Sequence, residues 1–342
     1  METERQVIIL RMAVLLGDGY GKAESYSFDD LDKQARNELE KPDFSGTFCL
    51  GFDLKKTPRN NWYIIEINGR NSGLKGIEKV NKEFSQDEFY NSAKRKFEMI
   101  LSSHPDALLD AYSRYRRTEE KILEEGIESE LVHGLYKKMQ FNTDKFEEML
   151  SNKAYQKLYL PQELVAPFVL VSDDGYRPTF FTRWMDESPH HDDFDKDLVV
   201  IKSPTGVQGR DVSVRSAKRL RNKDLVKDSM IEPFVISIPI VSSEDGKEHD
   251  GCMRYGVIVN VSSEGNIEFV HAGGYWRLSP KPLENSSAKL RSKLTANLAR
   301  GALAQEASDH EIREVQAIVE RATLHLFTKF YNRDFVQQST TS

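Results

Sequence analysis

Two apolar segments separated by a turn-forming stretch predict a β-hairpin near the start of the chain, and this hairpin constrains the fold most strongly. The segments are FCLGFDL, residues 48–54, and NWYIIEIN, residues 61–68. Between them lies KKTPRN, which is rich in residues that favour turns. We therefore expect at least one antiparallel sheet that contains these two strands.

Three oxygen-bearing side chains are expected to converge on one face of this hairpin. Glu66 and Asn68 are two residues apart on a strand, so both side chains leave the same face of the sheet. If the hairpin turns near Arg59 and Asn60, Asp53 lies opposite Glu66. Carboxylate and amide oxygens are the ligands that Mg²⁺ takes, with waters or phosphates in the remaining positions. The alternative is a solvated strand face, but the isoleucines around Glu66 favour a buried strand.

A second motif is the lysine and glycine-containing loop in DLVVIKSPTGVQGRDVSV, residues 197–214. Lys202 ends an apolar strand, where its ammonium can reach phosphate oxygens as a point charge. Gly206 and Gly209 would let the backbone approach a polyphosphate closely. The sequence is neither a Walker A motif nor a Rossmann fingerprint, and a plain hairpin loop is the alternative.

The remaining segments predict a mixture of helices and antiparallel strands. In the second half of the chain, short β-rich runs alternate with polar turns, and another hairpin is predicted to turn at residues 262–265. Residues 85–139 are predicted to be helical, and Ser308 and Glu311 have the spacing of a helix-capping box. The segment PHHDD, residues 189–193, is interpreted as a solvated loop because nothing fixes a metal-ligand spacing there. The predicted fold class is α+β.

Charge and cysteine content exclude several classes of protein. The 342 residues carry a formal net charge of −6, so the chain lacks the basic footprint of a general nucleic-acid binder. Cys49 and Cys252 have no metal-type spacing, which favours a reduced, cytoplasmic protein. No segment predicts a membrane span, so we expect neither a nucleic-acid nor a membrane partner. The sequence does not specify the oligomeric state, and a homodimer is one state that we consider.

Together these motifs resemble the ATP-grasp superfamily, and D-alanine–D-alanine ligase and RimK-like ligases in particular. VVIKSPTGVQGRDV resembles the family's lysine and glycine-loop segment, IEPFV its nucleotide-linker segment and DGCMRYGVIV its arginine strand. YWRLSP followed by TANLARGA resembles the stretch before the metal hairpin. GFDL with IIEINGRNSG resembles the metal hairpin and acceptor loop, and NTDKFEEML resembles the segment with the first ATP-contacting lysine.

The order of these segments differs from that of the family, because the metal hairpin precedes the lysine loop. This order is similar to a circular permutation, which is physically reasonable when chain termini lie close together. The resemblance implies a permuted ATP-grasp fold, in which two α+β subdomains sandwich ATP, with a helical insertion. The expected units are the permuted metal-hairpin segment, the helical region, the lysine/glycine-loop subdomain, the remainder of the core and a flexible tail, at residues 1–80, 81–140, 141–235, 236–335 and 336–342.

The resemblance implies an ADP-forming carboxylate–amine ligase that uses ATP and Mg²⁺ or Mn²⁺ and acts through an acylphosphate. Its substrates would be a small-molecule or peptide carboxylate and an amine. The implied metal ligands are Asp53, Glu66 and Asn68, and the implied catalytic residues are Arg254, Arg277 and Lys202. The implied nucleotide-binding residues are Lys145, Lys202, Gly206, Gly209, Glu232 and Asn297, and the implied substrate-binding residues are Arg70, Asn71, Ser72 and Gly73. A small-molecule kinase and a non-catalytic nucleotide-binding protein are the alternatives.

Overall fold

The computed structural model describes most of the two sheets and the helices that pack on them. The described residues are 46–69, 76–77, 80–81, 146, 149–171, 191–205, 212–220, 225–226, 229–262, 264–294 and 301–337. The predicted helical segment 85–139 lies outside these residues, as do several predicted site residues, namely Arg70, Asn71, Ser72, Gly73, Lys145, Gly206, Gly209 and Asn297.

The described elements alternate between strands and a few helices, which confirms the α+β class. The strands are β1 Gly46–Lys56, β2 Trp62–Gly69, β3 Val169–Leu170, β4 Phe194–Lys202, β5 Ser213–Ser216, β6 Met230–Val235, β7 Pro239–Val241, β8 Glu248–Val261, β9 Asn266–Leu278, β10 Leu303–Glu306 and β11 Val336–Gln337. The helices are α1 Lys153–Tyr159, α2 Leu290–Leu294 and α3 Asp309–Tyr331.

The larger sheet contains both predicted hairpins. Its strands lie in the order β10-β9-β8-β1-β2, while β7 pairs with β8 and β11 pairs with β9. All neighbouring pairs in that order are antiparallel. In the first hairpin, Asn60 has a φ of 66°, the left-handed conformation that an asparagine tolerates well in a turn. The predictions of hairpins at residues 48–68 and 248–278 are therefore confirmed.

The smaller sheet carries the predicted lysine strand. Its four described strands lie in the order β3-β6-β4-β5, and all neighbouring pairs are antiparallel. Between the two sheets, the chain crosses at residues 236–238. The Ile236 amide donates to the Asp193 carbonyl, and the Ile238 amide donates to the Lys56 carbonyl, at 2.9 and 2.8 Å. The first bond holds this segment beside the start of β4, and the second joins it to the end of β1 in the larger sheet.

Helix α3 covers the apolar face of the larger sheet. Its predicted capping box is confirmed, because the Ser308 hydroxyl accepts from the Glu311 amide while the Glu311 side chain accepts from the Ser308 amide. One turn apart on the buried face, Phe327 and Tyr331 pack with Phe146, and Phe327 meets Phe48 of β1 edge to face. This aromatic cluster leaves the opposite face of β1 and β8, which carries Asp53, available for polar side chains.

Two local predictions were wrong in part. The β-rich segment LVAPFVLVS, residues 164–172, was expected to be a strand, but within its described residues 164–171 only Val169–Leu170 forms one, because Pro167 supplies no N–H for a strand ladder. In the predicted solvated loop at 189–193, Asp193 is instead fully buried. Its Oδ2 accepts hydrogen bonds from the Asn61 side-chain amide nitrogen at 2.8 Å and from the Tyr63 hydroxyl at 2.9 Å. The sequence alone did not show that the hairpin supplies these two donors.

No helix among the described residues is both long and apolar enough to cross a membrane.

Candidate functional site

Four polar side chains lie in one row across the larger sheet. Asp53 of β1 is directly opposite Glu66 of β2 on one side and Arg254 of β8 on the other. Arg254 in turn pairs with Tyr275 of β9. The predicted opposition of Asp53 and Glu66 is therefore confirmed, and the strands bring Arg254 into the same row.

The carboxylate of Asp53 is held by two arginines. Arg254 donates to both oxygens, with its Nη2 at 2.9 Å from Oδ2 and its Nε bonded to Oδ1, and Arg277 places its Nη2 2.5 Å from Oδ1. Burial alone would raise the pKa of Asp53, but the two guanidinium charges and their hydrogen bonds outweigh it and hold the pKa below its usual value. Asp53 is therefore a buried anion with two cations on it, which is a costly arrangement unless the charges remain paired.

A second charged cluster lies on the smaller sheet. Glu232 of β6 is 3% exposed, and its carboxylate receives Lys202 of β4 on Oε1 and Lys157 of α1 on Oε2, the latter at 3.0 Å. Burial alone would raise the pKa of Glu232, but the two ammonium charges lower it. Burial lowers the pKa of Lys157 more strongly than Glu232 raises it, and the neighbouring charge of Lys202 lowers it further. The Glu232 carboxylate thus contacts lysines in this structure.

Helix α1 joins the two clusters. Lys153 and Lys157 are four residues apart and so lie on one helix face. The Nζ of Lys153 is 3.5 Å from Oε1 of Glu66, whereas Lys157 contacts Glu232. The backbone amide of Lys153 also donates to the Pro204 carbonyl at 2.9 Å, just beyond the lysine strand. One short helix therefore contacts both the β1–β2 hairpin and the start of the glycine-containing loop.

Sequence reasoning missed these two lysines and placed the lysine of this region at Lys145. A local signal was present: Asn152 caps α1 by accepting from the Ala154 and Tyr155 amides, and lysines follow at a four-residue spacing. The prediction for Lys145 lies outside the described residues and stays a prediction.

Among the residues that the structure describes, the two clusters give the site an excess of positive charge. Its carboxylates are Asp53, Glu66 and Glu232, and its cations are Lys153, Lys157, Lys202, Arg254 and Arg277. The pKa of Lys157 responds to Glu66 as well as to Glu232, so the clusters interact electrostatically. Buried cations in excess of their anions favour a polyanionic ligand, which would supply the missing negative charge.

Oxygen donors for a hard metal ion lie beside these cations. Asp53 and Glu66 face each other, and the Asn68 amide nitrogen donates weakly to the Gly51 carbonyl at 3.5 Å, so the amide oxygen is not used in this bond. Within the described ranges, no group of three or more His, Cys, Asp and Glu side chains is arranged to hold a metal. The predicted set contains two carboxylates and one amide, so phosphate oxygens would have to complete it.

Cys252 lies at the edge of the site. Its thiol is 3.5 Å from the Arg277 Nη2, and the side chain is 7% exposed. Burial raises the pKa of this thiol, as does the Asp53 charge, so the group stays protonated at neutral pH. The arrangement gives Cys252 no nucleophilic role.

We predict that Asp53 contributes acid-sensitive stability. Its pKa is lower in the folded protein than in the unfolded chain, where an aspartate has a pKa of about 3.9. The unfolded chain then binds protons that the folded protein does not, so the stabilisation is complete above that pH and is lost as the pH falls through the lower folded value. Asp53→Asn should flatten the fall in the free energy of unfolding below about pH 4, measured by urea denaturation at successive pH values.

The matched control for this experiment is Asp334→Asn, which changes an exposed carboxylate. It should leave the pH dependence of stability as it is in the unchanged protein. Equal slopes for Asp53→Asn and the unchanged protein would contradict the buried arginine–aspartate arrangement.

Comparisons with known proteins add a structural likeness at low sequence identity. No protein-family model and no curated protein sequence matches this chain. A solved structure that does match is described as a "Putative gamma-glutamylcysteine synthetase" from Methylobacillus flagellatus KT. It shares 8% sequence identity at a TM-score of 0.43, over 89% of this chain and 92% of that chain. Likeness at this level does not define a fold or a function, so the residues of the site carry the argument that follows.

Proposed function

We propose that this chain is an ATP- and Mg²⁺-dependent carboxylate–amine ligase of the ATP-grasp type, with its segments in permuted order. One observation carries the nucleotide–metal part of the proposal: α1 joins a row of facing carboxylates on one sheet to a lysine cluster on the other. The described part of the site has more cations than carboxylates and so favours a polyphosphate. The carboxylate–amine part of the proposal is supported by the motif resemblance.

The nucleotide side of the site consists of lysines that Glu232 now neutralises. Lys157 and Lys202 share its carboxylate, and Lys153 lies at the other end of the same helix face. Ammonium groups bind phosphate oxygens as point charges, and buried ones bind more strongly because water screens them less. We propose that a polyphosphate takes these lysines and that Gly206 and Gly209 in the following loop cover it.

The metal side consists of Asp53, Glu66 and Asn68. A magnesium ion there would supply charge neutralisation for the phosphate oxygens of the nucleotide. The donor set fits a hard cation because each member offers a carboxylate or amide oxygen. Asp53 can become a ligand only when Arg254 and Arg277 loosen their hold on it. The two guanidinium groups are then available to bind the phosphoryl group that is transferred.

The proposed reaction has two steps. In the first, a carboxylate oxygen of the substrate attacks the γ-phosphorus of ATP, the bond to the bridging oxygen breaks, and ADP leaves. In the second, the amine nitrogen attacks the acyl carbon, inorganic phosphate leaves with the bonding pair, and the nitrogen loses a proton. Arg254 and Arg277 stabilise the negative charge that spreads over the transferred group. We propose that Arg70, Asn71, Ser72 and Gly73, which follow the hairpin directly, bind the carboxylate substrate.

The permuted domain organisation belongs to the same proposal. Residues 1–80 would supply the metal hairpin, 141–235 the lysine and glycine-loop subdomain and 236–335 the remaining core, with 81–140 as an insertion. In support, β4 and β6 of the smaller sheet carry Lys202 and Glu232, whereas β1 and β2 of the larger sheet carry the predicted metal ligands.

A phosphate-release screen of paired amino acids and small acids with Mg-ATP tests this function. We expect one pair to give ADP, inorganic phosphate and an amide in equal amounts, each measured by mass spectrometry or a coupled assay. A stable phosphate ester would instead indicate a small-molecule kinase. ATP binding without ADP formation across the whole panel would indicate a non-catalytic nucleotide-binding protein.

A further inference from the structure

Gln156 bonds the backbone of the metal hairpin with both ends of its side-chain amide. Its Nε2 donates to the Ile67 carbonyl at 2.7 Å, and its Oε1 accepts from the Ile67 amide at 2.8 Å. The same Nε2 also donates to the Leu150 carbonyl, and the side chain is 2% exposed. A primary amide presents a donor and an acceptor much as a peptide group does. Gln156 therefore acts on β2 as a neighbouring strand would.

This contact lies on β2 between two of the predicted metal ligands. Ile67 lies between Glu66 and Asn68, and its own side chain enters the apolar core on the other face. In the described part of the larger sheet, β2 is the last strand, so its outer backbone groups need partners from elsewhere. By fixing the Ile67 peptide groups, Gln156 sets where the Glu66 and Asn68 side chains project.

The same glutamine lies between the two lysines of α1. Lys153 precedes it by three residues and contacts Glu66, while Lys157 follows it directly and contacts Glu232. A side chain that fixes α1 to β2 therefore also fixes the distance between these lysines and the carboxylates of the hairpin. Loss of this contact would remove the hydrogen bonds that fix α1 to the Ile67 backbone, while the apolar packing of α1 on the same core would remain.

We propose that Gln156 is a positioning residue that couples metal binding at the hairpin to nucleotide binding at the α1 lysines. The inference rests on the proposed function, because it assumes that a polyphosphate and a metal ion share this site. Gln156 itself touches neither of them, since both ends of its amide are occupied by backbone groups.

Calorimetry of ADP binding tests the coupling directly. The dissociation constant of ADP is measured with EDTA and again with excess Mg²⁺, and the ratio of the two values is the coupling. We expect Mg²⁺ to tighten ADP binding by about 5- to 150-fold in the unchanged protein. In Gln156→Met, which keeps the length of the side chain but not its amide, the tightening should fall to about twofold or less. ADP affinity in EDTA should change much less, because Lys202 remains in place.

The chain offers a matched control in Gln162→Met. The Gln162 side-chain amide donates to the Lys157 and Leu160 carbonyls at the end of α1, at 3.2 and 3.3 Å. This variant should keep the full tightening by Mg²⁺. If Gln156→Met does not fold, Gln156→Asn decides, because it keeps the amide but is too short to reach both Ile67 groups and should lose part of the coupling.

The outcomes separate this inference from the function on which it rests. Full tightening by Mg²⁺ in a folded Gln156 variant overturns the positioning role and leaves the nucleotide–metal site intact. If the unchanged protein binds no ADP at all with or without Mg²⁺, the proposed function itself fails.

Discussion

Replacement of Glu66 by alanine should lower ADP formation by about 10²- to 10³-fold while the protein stays folded. Glu66 faces Asp53 across the hairpin and is a partly exposed member of the predicted metal set, with 29% of its side chain accessible. Removing a group that stabilises charge in the transition state raises the free energy of activation, whereas the free energy of unfolding changes little. The ion pair of Glu66 with Lys153, at 3.5 Å, is partly exposed and contributes about 1 kcal/mol or less.

Initial rates with Mg-ATP and the substrate pair found in the phosphate-release screen measure this effect. Glu306→Gln is the control, because Glu306 is an exposed carboxylate on β10 of the same sheet. That variant should keep the rate of the unchanged protein. A Glu66→Ala protein with full turnover would remove Glu66 from the metal set and with it the proposed role of the hairpin.

Replacement of Glu232 by glutamine is expected to destabilise the protein by about 3–5 kcal/mol. Its carboxylate is the shared partner of Lys157 and Lys202, and all three groups are nearly inaccessible to water. The amide has a similar shape but no charge, so both ammonium groups would be left buried with a neutral partner. An unpaired buried charge costs much more than the loss of a surface ion pair. Urea denaturation at neutral pH measures the change in the free energy of unfolding.

ATP gives the same experiment a second readout. A polyphosphate that binds the freed lysines would restore part of the lost stability, by an amount that rises with the logarithm of its concentration once this exceeds the dissociation constant. Glu314→Gln serves as the control, because Glu314 is 24% exposed and its pair with Lys56 is only partly buried. That change should cost about 1 kcal/mol or less. A cost this small for Glu232→Gln, with no response to ATP, would contradict the buried lysine cluster.

The sequence predicted the parts of the site that depend on neighbours along the chain. Strand alternation and a short turn together set the register of β1 and β2, so the pairing of Asp53 with Glu66 followed from residues 48–68 alone. The capping box at Ser308 is likewise local, because both of its bonds lie within one helical turn. Lys202 at the end of its strand was also found from sequence, since an apolar run ends there.

The parts that sequence did not predict depend on contacts between distant segments. Arg254 and Arg277 were expected to bind anions, but the sequence did not show that both bind Asp53. Asp53 and Arg254 are 201 residues apart in the chain. The shared carboxylate of Glu232 and the clamp of Gln156 on β2 arise from the packing of α1 between the two sheets. Periodicity along one segment carries no information about such packing.

A crystal structure with Mg²⁺ and a non-hydrolysable ATP analogue tests the central claim most directly, namely that the hairpin and the lysine cluster form one nucleotide–metal site. We expect the polyphosphate to lie between the two sheets, with Lys153, Lys157 and Lys202 on its oxygens. The metal ion should be bound by Asp53, Glu66 and Asn68. A nucleotide bound away from these lysines would contradict the account. So would an Asp53 that stays fully paired with Arg254 and Arg277 while the nucleotide is bound.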